Sequence, residues 1–306
     1  MQSNNLQSHI LKTICYADIF DYPMTSGEIW KYLITREPVS KKNFSKLFKY
    51  PIEGLGKKDK FYFLKGKEFL VDVRKKREEI SIRKIKKAKR IAQILSLIPP
   101  VLLIGISGSL SMNNCKKTDD IDFFIVTKKN TLWTTRFLVT FILIMLGEKR
   151  QRGNLLAIDK VCTNMFLGED ALSLPLKTQN IFSSHEVVQL KIIVNKNQTY
   201  EKFLAANSWI KSFLSNTYIP QISESKRNDF YNFFSLLLNP FEKFFYRIQM
   251  FYMRKYITCE EIKQNSAKFH PRDKTWYVIY LYRLKCLYIL GHARDTRFID
   301  YSRILT

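Results

Sequence analysis

The segment DDIDFFIV, residues 119–126, constrains the chain most. Three aspartates run directly into four consecutive apolar residues, a pattern that predicts a strand buried on both faces. Burying a carboxylate costs several kcal/mol unless a cation or a hydrogen bond compensates it. Carboxylates at such a place therefore point to a site. Side chains alternate along a strand, so Asp120 and Asp122 project to one face, Asp119 to the other, and Ile121 into the core. Two carboxylates on one face offer hard oxygen ligands for Mg²⁺.

The residues before this strand fit the same chemistry. Another apolar run, residues 101–106, predicts a neighbouring central strand and leads into Ser107-Gly108-Ser109. Gly108 lets the backbone approach a ligand closely, and Ser109 adds a hydroxyl. Backbone N–H groups at a helix start can hold phosphate oxygens. Two Mg²⁺ ions about 3.5–4 Å apart could clamp the attacking and leaving oxygens of a phosphoryl transfer.

Around this pair the chain reads as three parts: 1–75, 76–182 and 183–306. Residues 6–50 predict three short helices. Thr25 and Glu28 form a capping box for the second, and Ser40 caps the third, which faces Phe44 and Leu47 inward. Two apolar runs flanking Lys65-Gly66 predict a hairpin. Three helices and a hairpin are the order of a winged helix. Residues 74–98 predict a long linking helix with a stripe of Ile82, Ile85, Ala88, Ala92 and Leu95, ended by Pro99-Pro100. Strands at 101–106, 121–127 and 160–167 with a helix at 131–146 predict a mixed α/β core. From residue 183 the pattern predicts helices at 186–194, 200–214, 229–256 (kinked by Pro240) and 273–290.

The 306 residues carry 51 Lys+Arg against 27 Asp+Glu, a net charge of +24. Residues 40–90 hold 19 basic and 6 acidic residues, so +13 of it lies there. Such a charge favours polyanions, and nucleic-acid contact by residues 40–90 is the corresponding expectation. AT-rich codon usage, which enriches Lys, is the plain alternative. Five cysteines, an odd number with no CxxC pair, argue against a disulfide framework or structural zinc and for a reducing cytoplasm. The start MQSNNLQSHI lacks the apolar core of a signal peptide. The apolar run 137–147 is too short to span a bilayer, so no membrane partner is expected.

The segment ISGSL, a gap, then TDDIDFF resembles the signature of the nucleotidyltransferase superfamily typified by DNA polymerase β. That signature is an apolar residue, Gly-Ser, about ten residues, then Asp-apolar-Asp-apolar. The pieces YADIFDYPMT (16–25), KVCTNMFL (160–167), SSHEVVQL (183–190), AANSW (205–209) and FHPRD (269–273) resemble a bacterial group. In that group a winged-helix-like region precedes such a domain and a helical tail follows. The resemblance implies a Mg²⁺-dependent transfer of NMP from a nucleoside triphosphate to an acceptor, RNA or a small molecule, with release of pyrophosphate. Asp120 and Asp122 would hold metal, and Gly108 and Ser109 the triphosphate.

The superfamily also uses a third carboxylate on a later strand, and KVCTNMFL contains none. Asp159, just before it, is the candidate third catalytic carboxylate, while Asn164 occupies the expected position with an amide that cannot take a proton. Arg136 could bind phosphate or form a structural pair. Lys149, Arg150 and Arg152 could reach the triphosphate. Glu186 could serve as base or simply favour a helix start. His270-Pro271-Arg272-Asp273 reads as a helix-entry turn or a substrate contact. The rival to an active transferase is a nucleic-acid-binding protein whose transferase-like domain acts as a nucleotide sensor or scaffold.

Overall fold

The computed structural model describes residues 3–48, 50–151, 157–222, 229–254, 261–268 and 274–291. The elements run α1 (Ser3–Asp18), β1 (Met24–Thr25), α2 (Ser26–Lys31), α3 (Lys41–Leu47), β2 (Leu55–Lys58), β3 (Phe61–Leu64) and α4 (Leu70–Leu95). Then come β4 (Val101–Ile106), α5 (Gly108–Ser111), β5 (Ile121–Thr127), α6 (Leu132–Met145) and β6 (Val161–Gly168). Last are α7 (Ile181–Val188), β7 (Lys191–Asn195), α8 (Thr199–Ala206), α9 (Asp229–Met253), β8 (Glu261–Ile262), β9 (Ser266–Lys268) and α10 (Thr275–Leu290).

The fold is mixed α/β. A six-stranded sheet runs β7-β4-β5-β6-β9-β8. Only β5 and β6 pair in parallel; the other neighbours are antiparallel. Both faces are covered. Ile104, Phe123 and Ile125 pack against α4, α6 and Met253 of α9. Leu103, Phe124, Val126 and Leu167 pack in one cluster with α1, α2, α7, α8 and α10. The N-terminal and C-terminal segments thus share a core on one face of the sheet. Asp122 has the parity of Phe124 and Val126 and looks to that face.

A smaller antiparallel sheet, β1-β3-β2, stands beside α1, α2 and α3. The capping box forms as expected: Thr25 Oγ1 accepts from Glu28 N at 3.3 Å, and Glu28 Oε2 accepts from Thr25 N at 2.8 Å. Ser40 Oγ accepts from Asn43 N. Glu28 also receives Tyr22 Oη at 2.6 Å and Arg74 Nη2 at 2.9 Å, which ties α2 to α4.

Four expectations need correction. The hairpin turns at Asp59-Lys60, where Asp59 adopts φ +55°, not at Lys65-Gly66. The segment after Gly66 forms no strand: α4 begins at Leu70, and Leu70, Val71 and Arg74 belong to its buried stripe. The α4 stripe forms as expected at Ala88, Ala92 and Leu95, with Ile85 partly buried, but Ile82 is 65% exposed, and Ser81 and Lys84 are buried on that turn instead. Residues 186–194 are not one helix: α7 ends at Val188, and β7 pairs with β4. The C-terminal region is therefore not purely helical, since β7, β8 and β9 join the central sheet. Short edge strands carry weak periodicity, and their pairing partners lie far away in sequence.

Asp18 links three segments. Its carboxylate, 2% exposed, accepts from Lys67 Nζ at 2.7 Å and from Lys285 Nζ at 2.5 Å. Glu242 of α9, 3% exposed, does similar work: it accepts from Trp133 N at 2.7 Å and Thr134 N at 2.9 Å. It caps α6 from another part of the chain, where Thr131 supplies no side-chain cap of its own. Replacing Asp18 by Asn leaves two lysines without their counter-charge. We expect Asp18→Asn to lower the unfolding free energy by about 2 kcal/mol, read from urea denaturation.

Candidate functional site

The site lies at the ends of β5 and β6. Loop 107–120 joins β4 to β5 and is pinned from three sides. Ser107 N donates to Asp122 O at 3.0 Å. Asp119 accepts from Ser109 Oγ at 3.1 Å and from Lys116 N at 2.8 Å, so it organises the loop, and it lines the same cleft as the pair. Lys84 of α4, 4% exposed, donates to Lys117 O at 3.0 Å and to Asp119 O. A buried ammonium thereby holds the backbone just ahead of Asp120.

Gly108 has φ +65°, and a Cβ there would stand 3.0 Å from Asp122 Oδ2. Glycine is needed on both counts: the conformation is left-handed, and the loop rests directly on the carboxylate. Ser109 lies on the same loop and lines the cleft.

Asp120 and Asp122 come together as expected. One ligand atom each from Asp120, Asp122 and Cys162 lie within 4.8 Å of one another. Cys162 stands opposite Asp122 in the parallel ladder. Next along β6, Asn164 is an extra residue: Thr163 pairs with Phe123 and Met165 with Phe124, and Asn164 is skipped. This bulge brings the Asn164 amide back over the pair. Its Nδ2 donates to Asp122 Oδ1, and its Oδ1 lies 2.9 Å from Cys162 Sγ.

Two cations flank the acids. Residues 148–150 run beside the start of β6: Val161 N donates to Glu148 O at 2.7 Å and Arg150 N to Val161 O at 3.0 Å. Arg150 Nη1 then reaches Asp120 Oδ2 at 2.6 Å. Lys149 Nζ donates to Thr163 Oγ1 at 3.1 Å, and burial pulls its pKa down to about 8. Burial pushes Asp122 up to about 7, the Asp120 charge adds to this, and the Asn164 amide opposes it. Burial likewise raises Cys162, to about 12, with Asp122 and Asp120 contributing.

Other expected residues fall elsewhere. Asp159 does not join the pair. It turns at φ +58° and forms an ion pair with Lys84 at 2.9 Å, so its carboxylate serves the support beneath the loop. Arg136 lines the cleft but is engaged by α9: Nη1 donates to Gln249 Oε1, and Nη2 lies 3.3 Å from Met253 Sδ. Glu186 lines the same cleft as Asp122, and its charge contributes to raising Asp122. Burial raises Glu186 itself, against the pull of Lys268 and Lys274. His185 is a packing residue: it stacks on Tyr16 at 3.8 Å, and burial lowers it to about 4. Arg152, the turn His270-Pro271-Arg272-Asp273 and Cys259 lie outside the described residues.

The cleft measures about 2360 Å³. Pockets for a single small molecule run to roughly 300–1,000 Å³, so this one is larger than a single small molecule requires. Its walls come from α1, the 107–120 loop, β6, α7, α9 and the β8–β9 edge. Asn164 stands against Asp122, at the place where its position in KVCTNMFL put it; Cys162 and the bulge are the parts that the sequence did not reveal. The one available signal was the gap left by a missing acid in KVCTNMFL. Among the described residues no helix is long and apolar enough to cross a membrane.

No family model, no curated protein and no solved structure matches the chain.

Two outcomes test this geometry. With divalent ions removed by EDTA, Asp122→Asn should stabilise the fold at pH 8 by about 2 kcal/mol. A carboxyl whose pKa rises from 3.8 in the unfolded chain to about 7 in the fold destabilises once ionised. That cost is absent below about pH 4 and complete above about pH 7, so the gain should vanish near pH 4 in denaturation series. Gly108→Ala should cost about 1–2 kcal/mol and displace Asp122, measured as a lower melting midpoint.

Proposed function

We propose that the chain is a divalent-metal-dependent nucleotidyltransferase. It moves NMP from a nucleoside triphosphate to an acceptor hydroxyl or similar nucleophile and releases pyrophosphate. The observation that carries this reading is the adjacency of Asp120 and Asp122 beneath the Gly108-Ser109 loop, on the floor of the cleft. The resemblance of this loop and strand to the nucleotidyltransferase superfamily gives the reaction type. The donor set fits a divalent cation, and Mg²⁺ is the ion that the resemblance implies. When bound, the metal neutralises triphosphate charge and polarises the reacting phosphoryl group.

The protein groups do the positioning. Gly108 opens the backbone for the triphosphate, and Ser109 offers a hydroxyl. Lys149 and Arg150 supply positive charge at the same end, and Arg150 can exchange Asp120 for a phosphate because it is 43% exposed. Glu186, on the opposite wall, is the candidate base for the acceptor in place of Asp159. Arg136 braces the wall rather than gripping phosphate.

The N-terminal order α1-β1-α2-α3-β2-β3 supports a winged-helix reading of residues 1–75, with 76–182 as the catalytic unit and 183–306 closing the cleft. Its exposed lysines, such as Lys42 and Lys46 on α3, are suited to a polyanion and lean the acceptor towards RNA. The sensor reading is the alternative. It is favoured by one observation: the place on β6 facing Asp122 holds Cys162 and Asn164, not a carboxylate.

The test is to incubate the protein with Mg²⁺ or Mn²⁺ and each α-labelled nucleoside triphosphate. Cell extract is supplied as separate RNA, protein and small-molecule fractions. Label in one fraction, lost in Asp120→Asn/Asp122→Asn, is expected and names the acceptor class. Nucleotide binding without transfer under any condition would give the sensor reading the better claim.

A further inference from the structure

Resting on the assignment of Asp120 and Asp122 as metal ligands, we propose that Cys162 is the third protein ligand of that metal. The site then takes a borderline ion such as Zn²⁺ or Co²⁺ in preference to Mg²⁺.

The argument begins with register. Cys162 is the cross-strand neighbour of Asp122 in the β5–β6 ladder, so its side chain emerges on the same face, one strand over. Its sulfur and one oxygen from each aspartate lie within 4.8 Å of one another, close enough to share one ion. The next residue whose side chain returns to that face, Asn164, holds both groups at once: its amide nitrogen binds Asp122 and its amide oxygen meets the Cys162 thiol. One bulged side chain therefore orients two of the three donors, which is the usual work of groups behind a metal centre.

The donor chemistry then sets the ion. Two carboxylates alone suit a hard cation such as Mg²⁺, which favours oxygen ligands and keeps several waters. A thiolate in the same set favours softer ions and contributes little to Mg²⁺. In the metal-free chain Cys162 carries its proton, directed at Asn164 Oδ1, and Arg150 supplies the counter-charge to Asp120. When the ion binds, one metal–sulfur bond forms, one S–H bond breaks, and the proton leaves to solvent. No electron changes hands. Arg150 is exposed enough to swing off Asp120 as the ion replaces its charge.

The experiment uses the full chain and Co²⁺ alone, followed by optical absorption, with Zn²⁺, Mn²⁺ and Mg²⁺ as competitors. Thiolate bound to Co²⁺ gives an intense near-ultraviolet charge-transfer band, which oxygen ligands do not. The wild type should show this band. Cys162→Ser should lose it while keeping weaker visible Co²⁺ absorption through the aspartates, and Asp120→Asn should weaken it. Zn²⁺ should displace Co²⁺ far better than Mg²⁺ does, and Cys162→Ser should lose roughly tenfold or more in Zn²⁺ affinity with little change for Mg²⁺. Circular dichroism checks that each variant is folded.

Co²⁺ bound without the band overturns the Cys162 assignment and leaves the two-aspartate site standing. A band that survives in Cys162→Ser arises from another cysteine and overturns it too. Equal binding of Co²⁺, or no binding at all, in wild type and in Asp120→Asn/Asp122→Asn overturns the underlying metal site as well.

Discussion

Two carboxylates held side by side at the end of a buried strand repel each other and resist burial. The surrounding structure answers that one constraint. Arg150 neutralises Asp120, and the Asn164 amide binds Asp122. Lys84 grips the carbonyls of Lys117 and Asp119 just upstream. Each support comes from a different element: the 148–150 segment, the bulge in β6, and α4. Even so, Asp122 keeps a raised pKa, so the ionised pair is not fully compensated by the protein. Uptake of a proton by Asp122 relieves that residual cost, and an added cation would relieve it above the pH where the proton leaves.

The rest of the fold serves to place walls around this floor. The Asp18 carboxylate gathers α1, the segment after β3, and α10 through two lysines. Glu242 fastens α9 to the start of α6. The Asp18 contacts bring segments more than two hundred residues apart onto one face of the sheet, and Glu242 fastens helices on the other face. The cleft exists because that face is only partly filled: apolar residues such as Val126 and Leu167 are covered, while Asp122 and Cys162 look into open space. The cleft combines acids on its floor with lysines in its lining.

Much of this was legible from residues alone. The apolar runs located β4 and β5, the T-x-x-E box located α2, and Asp120-Ile121-Asp122 announced its own face by the period of two. The hairpin turn, the burial of Lys84 in place of Ile82 and the strands β7, β8 and β9 were not legible. Ile82 fits a helical stripe as well as Lys84 does, and only the position of Asp159 and the 107–120 loop makes a lysine the better buried residue. Asp159 shows the same limit: it lies next to the acidic strand in space, yet Lys84 claims it, and no count along the chain reveals a competing partner.

Local covalent pattern therefore determined the strands, the caps, the glycine loop and the common face of the two aspartates, because those follow from backbone periodicity and conformational preference over a few residues. Tertiary structure alone decided which third residue joins them. That choice depended on register between β5 and β6 and on a single extra residue in the ladder. A bulge shifts every later side chain by one place, and its position is set by pairing energy across strands rather than by the residues on either side.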